Sequence, residues 1–183
     1  LERRRRRVVF DTRKALALLA YLALTRAAQS RDVLANLLWS DYSQSKARAA
    51  LRRTLSVLNA ALGAGQLEIE RETIGLADTA RLWVDVDEYR RLLAPCEKHA
   101  HAPREVGAKC VALLTQAAAL YRQDFLAGFS LRDSPNFEEW QFFQAEALRR
   151  EHAGILERLT RWHAQQKEYA TAIEFARGWL ALD

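Results

Sequence analysis

"SQSKARAALRRTLSVLNAALG", residues 43–63, makes two demands on one helix. Leu51, Leu55, Leu58 and Leu62 recur every three to four residues, the spacing of a helix lying on a core. Lys46, Arg48, Arg52 and Arg53 crowd the first half with no acidic residue among them. At about 3.6 residues per turn the leucines share one stripe. Lys46, Ala49, Arg52, Arg53, Ser56 and Ala60 fall opposite that stripe, with Arg48 on its flank. The outward face is therefore basic, small or hydroxylic. Such a face can neutralise phosphates and donate to guanine edges in a major groove. The plainer reading of the same face is a solvated one. Ser43 or Ser45 can cap the start of the helix, and "GAG" at 63–65 ends it, because glycine takes the left-handed conformation cheaply. No strand precedes these glycines and no Lys-Ser/Thr follows, so they read as helix termination and not as a phosphate loop.

Working outward toward the N-terminus, "VVF" at 8–10 reads as a short strand. Asp11 or Thr12 can cap a helix over about 13–25, apolar on nearly all sides and hence central. "AAQ" reads as a short connection. Ser30 is a second N-cap with Asp32 near the positive end of the dipole, and Leu34, Leu37 and Leu38 form the inward stripe of a helix ending near Trp39. Toward the C-terminus, Leu67, Ile69 and Arg71 alternate with Glu68, Glu70 and Glu72, and Ile74, Leu76, Leu82 and Val84 follow, which reads as a β-hairpin. Three helices, the third basic, followed by a hairpin make a winged helix-turn-helix arrangement.

Beyond Asp85 the pattern turns helical. A short helix is predicted over about 86–94, then a polar linker between Pro95 and Pro103. Cys110, Leu113, Leu114, Ala117, Leu120 and Tyr121 give a helix over about 105–124, broken at Gly128. Ser134-Pro135 starts a long helix over about 135–165, since proline is preorganised for the first helical position. "KEY" at 167–169 precedes a last helix. Its Tyr169, Ala172, Ile173, Ala176 and Leu180 follow the layout of a tetratricopeptide-type (TPR) helix hairpin. One such repeat cannot bury its own face, so further repeats are expected beside it. The predicted fold class is mainly α with a small β component, divided into a winged helix over 1–85 and an all-α TPR-like domain over 86–183.

Charge is distributed unevenly. The net charge is +5, but residues 1–66 hold 13 Lys and Arg against 4 Asp and Glu, whereas 91–183 hold 12 of each. The N-terminal third alone is therefore suited to a polyanionic partner. Part of the excess is the run Arg3 to Arg7, which alone reads as a solvated stretch. No run approaches the roughly 18 apolar residues of a membrane span, so no membrane partner is expected. Two cysteines fit a reducing cytoplasm better than a disulfide scaffold. The lack of any Met suggests a fragment cut at both ends.

Enzyme motifs are missing: no Gly-rich phosphate loop, no His-Glu-x-x-His, no Gly-x-Ser-x-Gly. Cys96, His99, His101 and Cys110 match no usual zinc spacing, and Cys110 reads as a core residue. Glu138 and Glu139 complement a helix dipole. His152 and His163 read as surface or satisfied packing residues. Trp39, Tyr42 and the other four Trp read as core. No catalytic activity, cofactor or metal is expected.

"FDTRKALALLAYLALTRAAQSRDVLANLLWSD", "KARAALRRTLSVLNAALG" and "VDVDEYRRLL" together resemble the DNA-binding half of the bacterial antibiotic-regulatory-protein (SARP) activators. "AALYRQDFLAGFSLRDSPNFEEWQFFQAEALRR" resembles their bacterial transcriptional activator domain. The resemblance covers nearly the whole chain from Val8. It implies an OmpR-type winged helix and a TPR-like domain in a cytoplasmic transcriptional activator. Such a protein binds double-stranded promoter DNA, self-associates on direct repeats and recruits RNA polymerase. By position, Lys46 to Asn59 would be the recognition helix, with Lys46, Arg48, Arg52, Arg53 and Ser56 facing DNA, and Arg71 to Thr73 the wing, with Arg71 and Thr73 reaching the duplex. The sequence departs from the family in three places: only the last strand of the usual N-terminal sheet is evident, Gln123 stands where relatives often have Gly, and Glu68, Glu70 and Glu72 make the wing acidic.

Overall fold

A computed structural model describes residues 2–3, 6–7, 12–80, 82–97 and 106–182. The predicted strand at 8–10 and much of the predicted linker lie outside the described residues. Two compact units divide the chain: Leu1–Leu82 with Phe129–Trp140, and Trp83–Gly128 with Gln141–Asp183. Among the described residues, no helix is long and apolar enough to cross a membrane.

The first unit opens with two short antiparallel strands, β1 (Glu2–Arg3) and β2 (Arg6–Arg7). Then come α1 (Arg13–Thr25), β3 (Gln29–Ser30), α2 (Arg31–Leu38), α3 (Gln44–Leu62), β4 (Leu67–Ile69) and β5 (Thr73–Leu76). Thr12 caps α1 by accepting from the Ala15 N–H, and Ser30 caps α2 by accepting from the Val33 N–H. Ser43 is the N-cap residue of α3, but its side chain makes no capping bond. Gly63 closes α3 at φ 89°, a conformation that costs other residues strain.

The core of this unit comes from the stripes read in the sequence. Leu18 and Leu22 of α1, Leu34 and Leu38 of α2, and Leu51 and Leu58 of α3 are almost fully buried, as is Ile74 of β5. Phe137 is also buried; its ring meets Phe129 edge-on at 6.0 Å and Trp140 at 5.4 Å, and Trp140 lies 4.9 Å from Tyr21. Residues 129–140 therefore pack in the first unit although they follow a stretch of the second in sequence.

The hairpin differs from its prediction. β4 and β5 pair antiparallel with Leu67 opposite Leu76 and Ile69 opposite Ile74, so Glu70 to Glu72 form the turn. Leu82 and Val84 lie outside any strand. β5 is the centre of a three-stranded sheet, because β3 pairs on its other side with Gln29 opposite Ile74. The predicted connection "AAQ" thus ends in a strand. Gly75 makes this pairing fit: a Cβ there would sit 3.3 Å from the Ala28 Cα.

The second unit contains α4 (Asp85–Glu97), α5 (Ala108–Leu120), most of α6 (Pro135–Gln165) and α7 (Tyr169–Leu180). Its core gathers Tyr89, Leu92, Leu93 and Cys96 of α4, Cys110, Leu114 and Ala117 of α5, and Ile155 and Leu159 of α6, with Phe175 of α7 packed against them. α4 runs through Pro95 rather than ending before it. Proline removes a single helical donor so near the end, and burial of Leu92, Leu93 and Cys96 holds the last turn in place. α5 stops at Leu120, short of the predicted 124, and Tyr121 turns to an extended ψ of 91°. Its hydroxyl donates to Asp124 at 2.7 Å, and Asp124 in turn pairs with Arg149.

Three aromatic residues assigned to the core by sequence are on the surface: Trp83 is 68% exposed, Tyr42 52%, and Trp179, on the outer side of α7, is also exposed. Trp83 and Tyr42 stand in irregular connections, where no periodic face directs them inward. His152 is buried and stacks on Tyr121 at 4.2 Å. Its Nδ1 has no hydrogen-bond partner among the described residues, so it is not a satisfied packing residue. His163 is satisfied, with its Nδ1 2.5 Å from Glu168 Oε2. Cys96 and Cys110 are both buried in the core, with Cys96 Sγ 3.9 Å from the Cys110 carbonyl oxygen; His99 and His101 lie outside the described residues.

Candidate nucleic-acid interface

α3 carries the basic face. Leu51, Leu55 and Leu58 are at most 4% exposed, while Lys46, Arg48, Arg52, Arg53 and Ser56 are all exposed. Ala60 is exposed and Ala49 half-buried on the same side. Ala47, Ala50 and Thr54 flank the leucines and are buried, which extends the inward stripe beyond the leucines alone. The helical spacing of 43–62 thus sorts charge from core residue by residue.

The four cations are not equivalent. Arg48 forms a bidentate pair with Asp32, Nε to Oδ1 and Nη2 to Oδ2, each at 2.7 Å. Hydrogen bonding from Arg48 holds the Asp32 carboxyl below its ordinary range, and the Arg48 pKa is raised in return. Arg48 therefore ties α3 to the first turn of α2 and spends its planar fork there. Lys46, Arg52 and Arg53 have no ion-pair partner among the described residues. Arg53 also lines a cavity of about 520 Å³, beside Arg13 and Lys14 of α1. Arg13 sits 4.9 Å from the Phe129 ring centre, and Lys14 pairs with Asp133 at 3.0 Å.

The hairpin turn is committed to its own structure. Arg71 is almost wholly solvent-exposed, with Nε 3.5 Å from Glu72 Oε1. Thr73 donates its hydroxyl to Glu70 Oε2 at 3.0 Å. Arg31, which sequence reasoning did not single out, fixes this turn: its Nη2 donates to the Glu70 carbonyl at 2.8 Å and its backbone N–H to the Glu72 carbonyl at 3.0 Å. A long-range backbone acceptor leaves no local pattern in sequence, so nothing around Arg31 signals the role. Arg71 is exposed beside Glu72, and Glu68 and Glu70 are exposed around it as well.

Thus Lys46, Arg52, Arg53 and Ser56 form the outward face of a helix whose opposite side is buried, with Arg48 at its edge already engaged. Small neighbours lie among the cations, and no carboxylate of α3 itself opposes them. Chemically, the face offers charge-assisted donors to anionic oxygens. No protein-family model matches the chain, and no curated protein matches it.

Proposed function

We propose that this chain is a sequence-specific regulator of transcription, an activator of the SARP type, that binds double-stranded promoter DNA through α3 in the major groove. On this reading the order α1–β3–α2–α3–β4–β5 is an OmpR-type winged helix, β3 being the strand between its first two helices. The second unit is then a TPR-like activator domain, and the whole acts in the bacterial cytoplasm, self-associating on direct repeats and engaging RNA polymerase. The observation that carries the reading is the exposure of Arg52 and Arg53, without ion-pair partners among the described residues, on a helix whose Leu51 and Leu58 are fully buried. Such a helix can present cations to phosphates and base edges with no rearrangement of the fold. The test is a mobility shift with duplex DNA selected from a random pool, at two salt concentrations. Affinity should fall steeply with salt. The double variant Arg52→Ala/Arg53→Ala should lose binding while keeping its helical content. A double variant that binds as well as the parent at matched salt would refute the assignment.

A protein-interaction module is the second reading, in which the first unit is an adaptor. It is favoured by α7, where Tyr169 is 61% exposed, Ile173 51% and Leu180 72%. Absent or salt-independent DNA binding in the same experiment would select it.

A further inference from the structure

The second unit has a cavity of about 170 Å³ lined by residues that include Tyr89, Tyr121, Phe125, Asp85 and Asp124. At about 30 Å³ per water in the liquid, that is room for a small solute.

Tyr89 is only 3% exposed, and its hydroxyl has no hydrogen-bond partner among the described residues. Burial pushes its pKa up, so the group stays a neutral phenol across the physiological range. A buried hydroxyl of this kind calls for a polar partner. The two carboxylates differ. Asp124 accepts from the Tyr121 hydroxyl at 2.7 Å and pairs with Arg149, which compensates its charge. Asp85 is solvent-exposed; it uses Oδ1 to accept from the Val86 N–H at 2.9 Å, and no basic side chain pairs with it among the described residues. Tyr121 is held in place by stacking on His152, with the ring planes 11° apart.

We propose that this cavity binds a small organic ammonium ion, with its N–H groups donating to the Asp85 carboxylate and the Tyr89 oxygen and its alkyl part against the aromatic walls. The chemistry excludes the alternatives in turn. An anion would meet the Asp85 carboxylate, which no basic side chain offsets among the described residues. A hard metal ion needs more oxygen ligands than the remaining Asp85 oxygen and a neutral phenol supply. A neutral solute leaves the Asp85 charge unused, whereas aromatic faces and a carboxylate both attract a cation. The site is independent of the DNA-binding reading and stands or falls apart from it.

Calorimetric titration of the whole chain with tert-butylammonium chloride tests this, with tert-butanol as the neutral isostere and sodium chloride as the salt control. The ammonium ion should bind saturably and the alcohol should not. Asp85→Asn, which keeps an acceptor for the Val86 N–H, and Tyr89→Phe, which keeps the ring, should each weaken binding roughly tenfold or more. Glu174→Gln on the exposed side of α7 should leave it unchanged. Equal binding of the alcohol, no saturable binding of the ammonium ion, or folded Asp85→Asn and Tyr89→Phe variants that bind like the parent would each overturn the proposal.

Discussion

The Ser134 hydroxyl donates to the Leu38 carbonyl oxygen at 2.8 Å, across 96 residues of sequence. Leu38 ends α2, so its carbonyl is one of the helix's orphan acceptors. Lys14 Nζ donates to the same oxygen at 2.6 Å, placing a cation at the negative end of the helix. Asn136 adds a bond from its side-chain amide to the Asn36 carbonyl at 3.1 Å. Segment 129–140 thus completes the C-terminal end of α2, the helix that Arg48 joins to α3. Ser134→Ala should cost about 1 kcal/mol, because Lys14 still serves the carbonyl. Ser134→Ala combined with Lys14→Met should cost more than the sum of the single changes, by about 1–3 kcal/mol, since the buried acceptor then loses both donors. Urea unfolding of the four proteins measures the coupling; strict additivity would show that Leu38 is solvated despite its burial.

Arg48 and Arg52 stand four residues apart on α3 yet should behave differently. Arg48 is held by Asp32, whereas Arg52 is exposed and has no ion-pair partner among the described residues. Replacing Arg52 or Arg53 by Ala should weaken DNA binding and lower the slope of log affinity against log salt by about 0.9 for each phosphate no longer neutralised. Arg48→Ala should change affinity less and act through the α2–α3 connection, with Asp32 left free. Salt-dependent binding isotherms of the three single variants test this; an Arg48 effect larger than that of Arg52 or Arg53 would reverse the assignment of roles.

Leu55→Ala tests the other face of the same helix. Leu55 is 4% exposed among the buried residues of the first unit. Truncation should destabilise the protein by about 2–5 kcal/mol through reduced burial and a residual cavity. Thermal melting should show the loss in the absence of DNA, in contrast to Arg52→Ala and Arg53→Ala, which should melt with the parent.

These contrasts mark what was legible in the sequence and why. The α1, α2 and α3 bounds, the Ser30 cap and the inward leucines follow from local periodicity and capping, which act over one or two turns. The long helix α6 was equally clear, because Ser134-Pro135 fixes its start. β3 was not, since a two-residue strand carries no alternation and exists only because β5 lies beside it. The Arg48–Asp32 pair was also hidden: a wheel shows that Arg48 is on the flank but not which neighbouring helix reaches it. The return of 129–140 to the first unit and the orphaned Tyr89 hydroxyl depend on tertiary packing and leave no signal in spacing. For the basic face, sequence separated outward from inward residues correctly, whereas only the structure divides Arg48, engaged by Asp32, from Arg52 and Arg53, which pair with no carboxylate among the described residues.

His152 gives the pH dependence a definite sign. It is 6% exposed, its Nδ1 lacks a partner among the described residues, and it lies flat against Tyr121. Burial disfavours the imidazolium and lowers its pKa from 6.5 to about 4. Between those values the unfolded chain binds a proton that the folded chain refuses, so stability falls as pH falls. The neutral histidine's contribution is complete above pH 6.5 and is lost as pH drops toward 4. A shift of this size corresponds to about 2–3 kcal/mol between pH 7 and 4.5. His152→Phe keeps an aromatic ring against Tyr121 but has no proton to bind. The parent should therefore lose more stability than the variant over that interval, by the same about 2–3 kcal/mol. Urea unfolding at both pH values decides it, because carboxylates common to the two proteins cancel in the difference; parallel pH profiles would show that His152 is hydrated in the folded state.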